Sequence, residues 1–287
     1  RFQQLCEKYG FKPVWLTNYE MAIDPVYIEF AKDAIARGTA EIGMHLHAWN
    51  SPPTDPLTDD DWRHKPYLIE YSDAAMRAKV DYMTRLLEET FQTKMVSHRA
   101  GRWAFDERYA RLLMEYGYLV DCSVTPRVNW KTAKGAPQGD GGTDYRHFPQ
   151  HAYFLDENDI RREGQSSLLE VPMSIQYKHS AWMNSVKQGY DRLRGKVRSP
   201  SVHWLRPMGG NVETMKKVVE QTLTQGNDYV EYMLHSSEYM PGGSPTFQNE
   251  RDIERLYADL EAFFSWLAPQ VKGMTLAEYY QRKITQR

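Results

Sequence analysis

The chain has 287 residues, 36 Lys and Arg against 38 Asp and Glu, a formal charge of −2, and 41% hydrophobic residues. That length suits one large domain, since α/β barrels run to ~250 residues as a single unit, and the near-balanced charge argues against a nucleic-acid partner, whose phosphates call for a basic surplus. No apolar run reaches the ~18 residues of a membrane span.

Helical spacing begins at once, with Phe2, Leu5 and Cys6 on one face and Gly10 in a favourable C-cap position. A helix that opens at the first residue has no N-cap, which predicts that the chain continues upstream; the lack of a signal peptide then says nothing of export. Residues 12–17 (KPVWLT) read as a buried strand. Asp24-Pro25 opens a helix as N-cap and first-turn proline, and Gly38 closes it. Residues 41–47 (EIGMHLH) form the next strand, and the Pro- and Asp-rich stretch 51–66 is a loop. The spacing then predicts a long helix over 67–89, a strand at 94–98, a helix over 106–116 closed by Gly117, and a strand over 118–124. From about 126 to 165 turn residues dominate, an excursion without a sustained period. Strand character returns at 168–172 and 229–235, with a helix at 212–225 between them. A helix over 249–267 precedes a weak strand and helix around 274–280.

Strand–helix alternation with short connections predicts an α/β fold, a parallel sheet with helices outside it. Residues 1–287 read as a single domain, without repeat or linker. Cys6 and Cys122 lack CxxC spacing and are too few for a disulfide framework, so a reducing, cytoplasmic setting is expected, with export left open. In such folds chemistry sits at the carboxyl ends of the strands. Reactive residue types stand there: His45 and His47, His98 and Arg99, Asp121, and His235.

His45-Leu46-His47 is the sharpest local signal. Imidazoles at i and i+2 on a strand share a face, so both can reach one metal ion, while Leu46 points into the packing layer. The plainer alternative is two polar residues entering a loop. A cation such as Zn²⁺ needs a third protein ligand and an open position for water. No cysteine lies nearby, so a carboxylate is expected.

Several motifs then resemble one family in order. EIGMHLHAW resembles the second motif of the polysaccharide deacetylase (NodB-homology) superfamily, in which a metal-binding His follows EIG. SHRAGRW, from Ser97, resembles the third, whose Arg lines the groove. YLVDCSVTP, from Tyr118, resembles the fourth, with Asp121 orienting that Arg. Met233-Leu234-His235 resembles the fifth. The resemblance spans residues 41–245, and HxHxW, RAGRW and LHSSEYMPGGSP are similar to a WalW-like branch. There are two departures. The usual second motif has its histidines four apart, where this chain has Trp49, so His47 would substitute. The first motif, whose paired Asp supplies a metal ligand and the catalytic base, is not found; the barrel's first strand would lie upstream.

The resemblance implies an α/β fold of the distorted (β/α) barrel type, and on it a metal-dependent N-deacetylase acting on an N-acetylated sugar of a polysaccharide or its precursor. A divalent ion, zinc by expectation, would polarise the amide carbonyl, and His235 would protonate the leaving amine. Allantoinase-like hydrolysis of another amide and non-catalytic sugar binding are the alternatives. Arg99 and Asp121 would form a charge pair between neighbouring strands, functional or merely register-fixing. His98 would point the other way, as a structural residue. Trp49 and Trp103 are sugar platforms or core aromatics. Arg206, before a helix N-terminus near Asn211, could meet an anionic or acetamido group.

Overall fold

The computed structural model describes residues 1–179, 183 and 201–286. In chain order the elements are α1 (Phe2–Lys8), β1 (Val14–Thr17), α2 (Tyr19–Ala22), α3 (Pro25–Ala36), β2 (Glu41–Leu46), α4 (Asp61–His64), α5 (Asp73–Phe91), β3 (Ser97–Ala100), α6 (Glu107–Glu115), β4 (Val120–Asp121), β5 (Tyr153–Asp156), β6 (Asp159–Glu163), β7 (Leu169–Glu170), β8 (Ile175–Tyr177), β9 (Val202–Trp204), α7 (Val212–Thr224), α8 (Glu250–Leu267) and α9 (Leu276–Thr285). Contacts divide the chain into two compact units, each built from three separated segments. One holds Lys12–Val124, Asn129–Pro172 and Met274–Arg287; the other holds Arg1–Phe11, Thr125–Val128 and Met173–Gly273. Because the segments interleave, no linker marks the division in the sequence. No helix among the described residues is long and apolar enough to cross a membrane.

The first unit is built on one sheet in the order β1-β2-β3-β4-β7-β5-β6. The five strands from β1 to β7 pair in parallel, and β5–β6 add an antiparallel edge. Among the described residues the sheet is open rather than closed into a barrel. Local chemistry sets the helices around it. Asp24 caps α3 by accepting from the Tyr27 amide at 2.8 Å, with Pro25 at the first helical position. The continuous helix expected over 67–89 is broken: a 3₁₀ turn, Leu68–Glu70, comes first, and α5 starts afresh behind Ser72. The cause is Glu70, whose side chain turns back to the Tyr67 amide at 2.7 Å and ends the first turn. The stretch 126–165 is irregular at first and then forms the β5–β6 hairpin. Near residue 274 there is no strand; Thr275 and Glu278 make a capping box that starts α9 directly.

Two glycines let β2 and β3 come close. A Cβ on Gly43 would stand 2.7 Å from the Ser97 carbonyl oxygen. On Gly101 it would strike the Leu46 carbonyl and lie 2.7 Å from the His47 ring. Backbone atoms cannot yield there as a side chain would, so both positions need glycine. This accounts for the Gly of EIG and the Gly of RAG.

The second unit carries the antiparallel pair β8–β9, which the sequence pattern did not suggest. Its core joins Leu5 and Cys6 of α1 to Met215, Val218 and Val219 of α7 and to Leu256, Leu260 and Phe263 of α8. Asn249 caps α8, accepting from the Asp252 amide at 3.0 Å. The strand expected at 229–235 is not formed. Its chain is held at isolated points, Glu231 N–H to Ser174 Oγ (2.9 Å) and Met233 N–H to the Leu205 carbonyl (3.3 Å), without the repeated exchange that makes a ladder.

Candidate functional site

His45, His47, Trp49, Arg99, Trp103 and Asp121 lie in the first unit, and Arg206 and His235 in the second. In the first, β2 delivers the two histidines at its carboxyl end, and their rings meet edge to face, 4.5 Å between centroids. The shared face expected from i, i+2 spacing is therefore real, with Leu46 buried between them. The register pairs His45 with Arg99 of β3, and His45 Nδ1 stands 2.8 Å from the Arg99 carbonyl oxygen. A carbonyl only accepts, so Nδ1 carries the proton and Nε2 keeps its lone pair. Burial, followed by the nearby His47 and Arg99 charges, pushes His45 well below the usual histidine range and outweighs the carbonyl bond. The ring is a neutral imidazole at neutral pH.

That donor chemistry suits a divalent ion, since a ligating imidazole characteristically donates its other N–H to a carbonyl or carboxylate. The fit stops at two donors. Among the described residues no group of three His, Cys, Asp or Glu side chains is placed to hold a metal.

Trp49 stacks on His47, ring centroids 4.4 Å apart and planes 15° off parallel, so one of its faces is already covered. Arg99 projects its guanidinium over Trp103 at 5.0 Å. Arg102 and Trp103 both have positive φ, 53° and 65°, a left-handed pair without glycine. Arg102 is anchored there by the Lys65 and Lys134 carbonyls and by the Tyr67 ring at 4.2 Å. The Trp103 carbonyl accepts from Tyr145 Oη.

Asp121 is not the partner of Arg99. The β3–β4 register places it opposite His98, on the other face of the sheet from Arg99. His98 Nδ1 lies 2.5 Å from Asp121 Oδ1 and Nε2 lies 2.6 Å from Tyr109 Oη, all three side chains fully buried. Ser123 completes the cluster by donating its amide and hydroxyl to Asp121, both at 2.9 Å. Burial keeps Tyr109 a neutral phenol.

Sequence reasoning missed Lys79. Fully buried, it donates to the Ser51 and Pro53 carbonyls at 2.8 and 2.7 Å and ties down the loop that follows His47. Burial pushes its pKa down, against the pull of Asp55 and Asp61. The signal was present: Lys79 stands within the apolar stripe Met76, Val80, Met83, Leu87 of α5.

In the second unit Arg206 does not face an open anion site. Its Nη2 donates to both oxygens of Glu238 at 2.8 Å. The loop before α7 is likewise occupied by the protein itself. Asn211 accepts from the Met208 amide and donates to the Arg206 carbonyl, and the Gly210 amide donates to Asp259 at 2.7 Å. His235 opens the 3₁₀ turn Ser236–Tyr239, half-exposed, with Nδ1 3.3 Å from Glu238 Oε2. Glu238 is the second residue missed. It stands three positions after His235, in the spacing of a capping box, where a first-turn carboxylate reads as structural.

No protein-family model matches the chain. The chain is 20% identical to the Saccharomyces cerevisiae autophagy receptor ATG45 over an alignment of 162 residues that covers 50% of this chain and 84% of that protein. Among solved structures, a provisionally assigned polysaccharide deacetylase from Mycobacterium smegmatis superposes with a TM-score of 0.52 at 15% identity, over 99% of this chain and 76% of its own. A 4-alpha-glucanotransferase from Thermococcus litoralis gives a TM-score of 0.51 at 12% identity, over 98% of this chain and 34% of its own. At such identities the likeness is one of fold: the chain has a mixed α/β, deacetylase-like fold with a parallel-rich, open sheet.

Proposed function

We propose that this protein is a hydrolase of carbohydrate N-acetyl groups, acting on an N-acetylated sugar of a polysaccharide or its precursor. The observation that carries the reading is the imidazole pair at the carboxyl end of β2, in a deacetylase-like fold, with His45 fixed as the Nδ1–H tautomer by the Arg99 carbonyl. His45 and His47 would hold a divalent ion, zinc by donor preference, which when bound supplies a Lewis acid for the amide carbonyl. Trp49 and Trp103 offer ring faces that suit a sugar. His235 would protonate the leaving amine, its exposed ring backed by Glu238. The Arg99 guanidinium, free of Asp121, would meet the polar groups of the substrate.

The test is acetate release from N-acetylated oligosaccharides by the full chain, with metal content measured by elemental analysis. Replacing His45 or His47 by Ala is expected to reduce bound metal to background, and His235→Asn to lower acetate release about 10²–10⁴-fold with metal content constant. Full metal retention in both Ala variants would remove the metal assignment. Tight sugar binding without acetate release would point to a non-catalytic relative, and turnover of a cyclic or linear non-sugar amide alone would move the substrate class.

A further inference from the structure

We propose that Glu238 is the positioning residue for His235 and that Arg206 holds Glu238 in place. The proposal builds on the reading of His235 as general acid, but its geometry stands apart from it. The Glu238 side chain is 4% exposed and the His235 side chain 52%, so the anchor is inside and the ring reaches solvent. Oε2 accepts the His235 backbone N–H at 3.0 Å and faces Nδ1 at 3.3 Å. Both oxygens accept from Arg206 Nη2, and Arg206 Nε is buried without a hydrogen-bond partner among the described residues. The guanidinium therefore spends its described side-chain bonds on this one carboxylate.

The chemistry follows from which nitrogen faces inward. A carboxylate accepts and does not donate, so Nδ1 bears the hydrogen and the outward nitrogen is Nε2. When the ring is protonated, the Nε2 proton is the one presented to solvent, while Nδ1–H stays directed at the carboxylate, which orients the ring as the carboxylate of a catalytic triad does. Arg206 and Glu238 cancel in charge, which allows the carboxylate to stay ionised although it is buried. The bonds from His235 and the Arg206 charge hold Glu238 below its ordinary value, against a burial effect that alone would raise it.

The competing role for Glu238 is purely structural, since Glu or Gln at this position closes a capping box whatever the first residue is. The two roles separate with two variants. Glu238→Gln keeps an acceptor for the backbone cap but removes the charge; Glu238→Ala removes both. In the full chain with ¹⁵N-labelled histidine, the ring nitrogen shifts report the tautomer of His235 directly. The unvaried chain is expected to show Nδ1–H, and Glu238→Ala to move the population towards Nε2–H. Glu238→Gln is expected to stay folded by circular dichroism, yet to lose about tenfold or more in acetate release through kcat, with KM nearly constant. An unchanged tautomer in Glu238→Ala overturns the positioning role, and so does full kcat in Glu238→Gln. A shifted tautomer in a chain that releases no acetate keeps the role and removes the deacetylase reading instead.

Discussion

Glu238 and Asp121 show how differently a buried carboxyl group is partnered at two places in one chain. Asp121 and His98 satisfy each other with Tyr109 and Ser123 behind the sheet, a closed cluster with no path to solvent. Glu238 shares its acceptors between a half-exposed ring and a guanidinium. Its depressed pKa has a consequence for acid stability. A carboxylate held below its ordinary value adds stability that is present above that value, about 4.5, and is lost as pH falls through the lower, folded one. Urea unfolding midpoints measured from pH 6 down to pH 3 should therefore fall in this range, and part of that fall should be absent in Glu238→Gln. Parallel acid limbs for the two proteins would show that the Arg206–Glu238–His235 bonds carry no linkage.

At the level of elements, the β2–β3 contact is what brings the histidines, Arg99 and Trp103 together, and it depends on the absence of two methyl groups. Gly101→Ala should press on the Leu46 carbonyl and the His47 ring at once. We expect about 1–3 kcal/mol of destabilisation in urea melts, together with a changed His47 ring environment by NMR. A change in stability with the His47 signals untouched would mean that the strain is relieved elsewhere. The same elements show what could be read from residues alone. The His45/His47 face was legible because strand alternation fixes it without reference to any neighbour. The partner of Asp121 was not, because it depends on which residue of β3 lies opposite, and that register is set by packing between strands. The cap at Asp24 was legible since its bond closes within three residues. The stretch 229–235 has strand composition but forms no ladder, being held at points such as Ser174 and Leu205, and β8–β9 are three residues each, too short to show a period. The fold class, a parallel-rich α/β sheet, survived these local errors because it rests on the alternation of long helices and apolar strands.

On the scale of the whole molecule, chain order and spatial order part company. The segment Met274–Arg287 closes the sheet-bearing unit, although the whole of Met173–Gly273 before it belongs to the other unit. Its Ala277 amide donates to Glu41 Oε2 at 2.9 Å, Glu278 pairs with Lys12, and Tyr280 meets Phe154 edge to face at 6.0 Å. Ending the chain after Gly273 should thus do more than remove a tail. Burial raises the Glu41 pKa against the bonds from Ser97 and Ala277, so losing Ala277 would leave one carboxylate oxygen at the start of β2 without its backbone donor. Hydrogen exchange in β1 and β2 is expected to accelerate markedly in the shortened chain. Protection as strong as in the full chain would show that α9 is dispensable to the sheet.

The interleaving also bears on how the protein is made. At usual synthesis rates the roughly one hundred residues between Pro172 and Met274 take on the order of ten seconds to emerge. Throughout that interval the ribosome-bound sheet stands without α9, and the end of β2 that will lie beneath this helix is open. The residue at that end is Glu41, a carboxylate rather than another aliphatic side chain. β2 is an interior strand, paired with β1 and β3, so its ladder is already satisfied, and while the helix is awaited its exposed end carries a hydrated carboxylate rather than an apolar side chain. The side chain that Ser97 already meets within the sheet, and that Ala277 reaches last, is thus the one that leaves the unfinished end polar until the helix arrives.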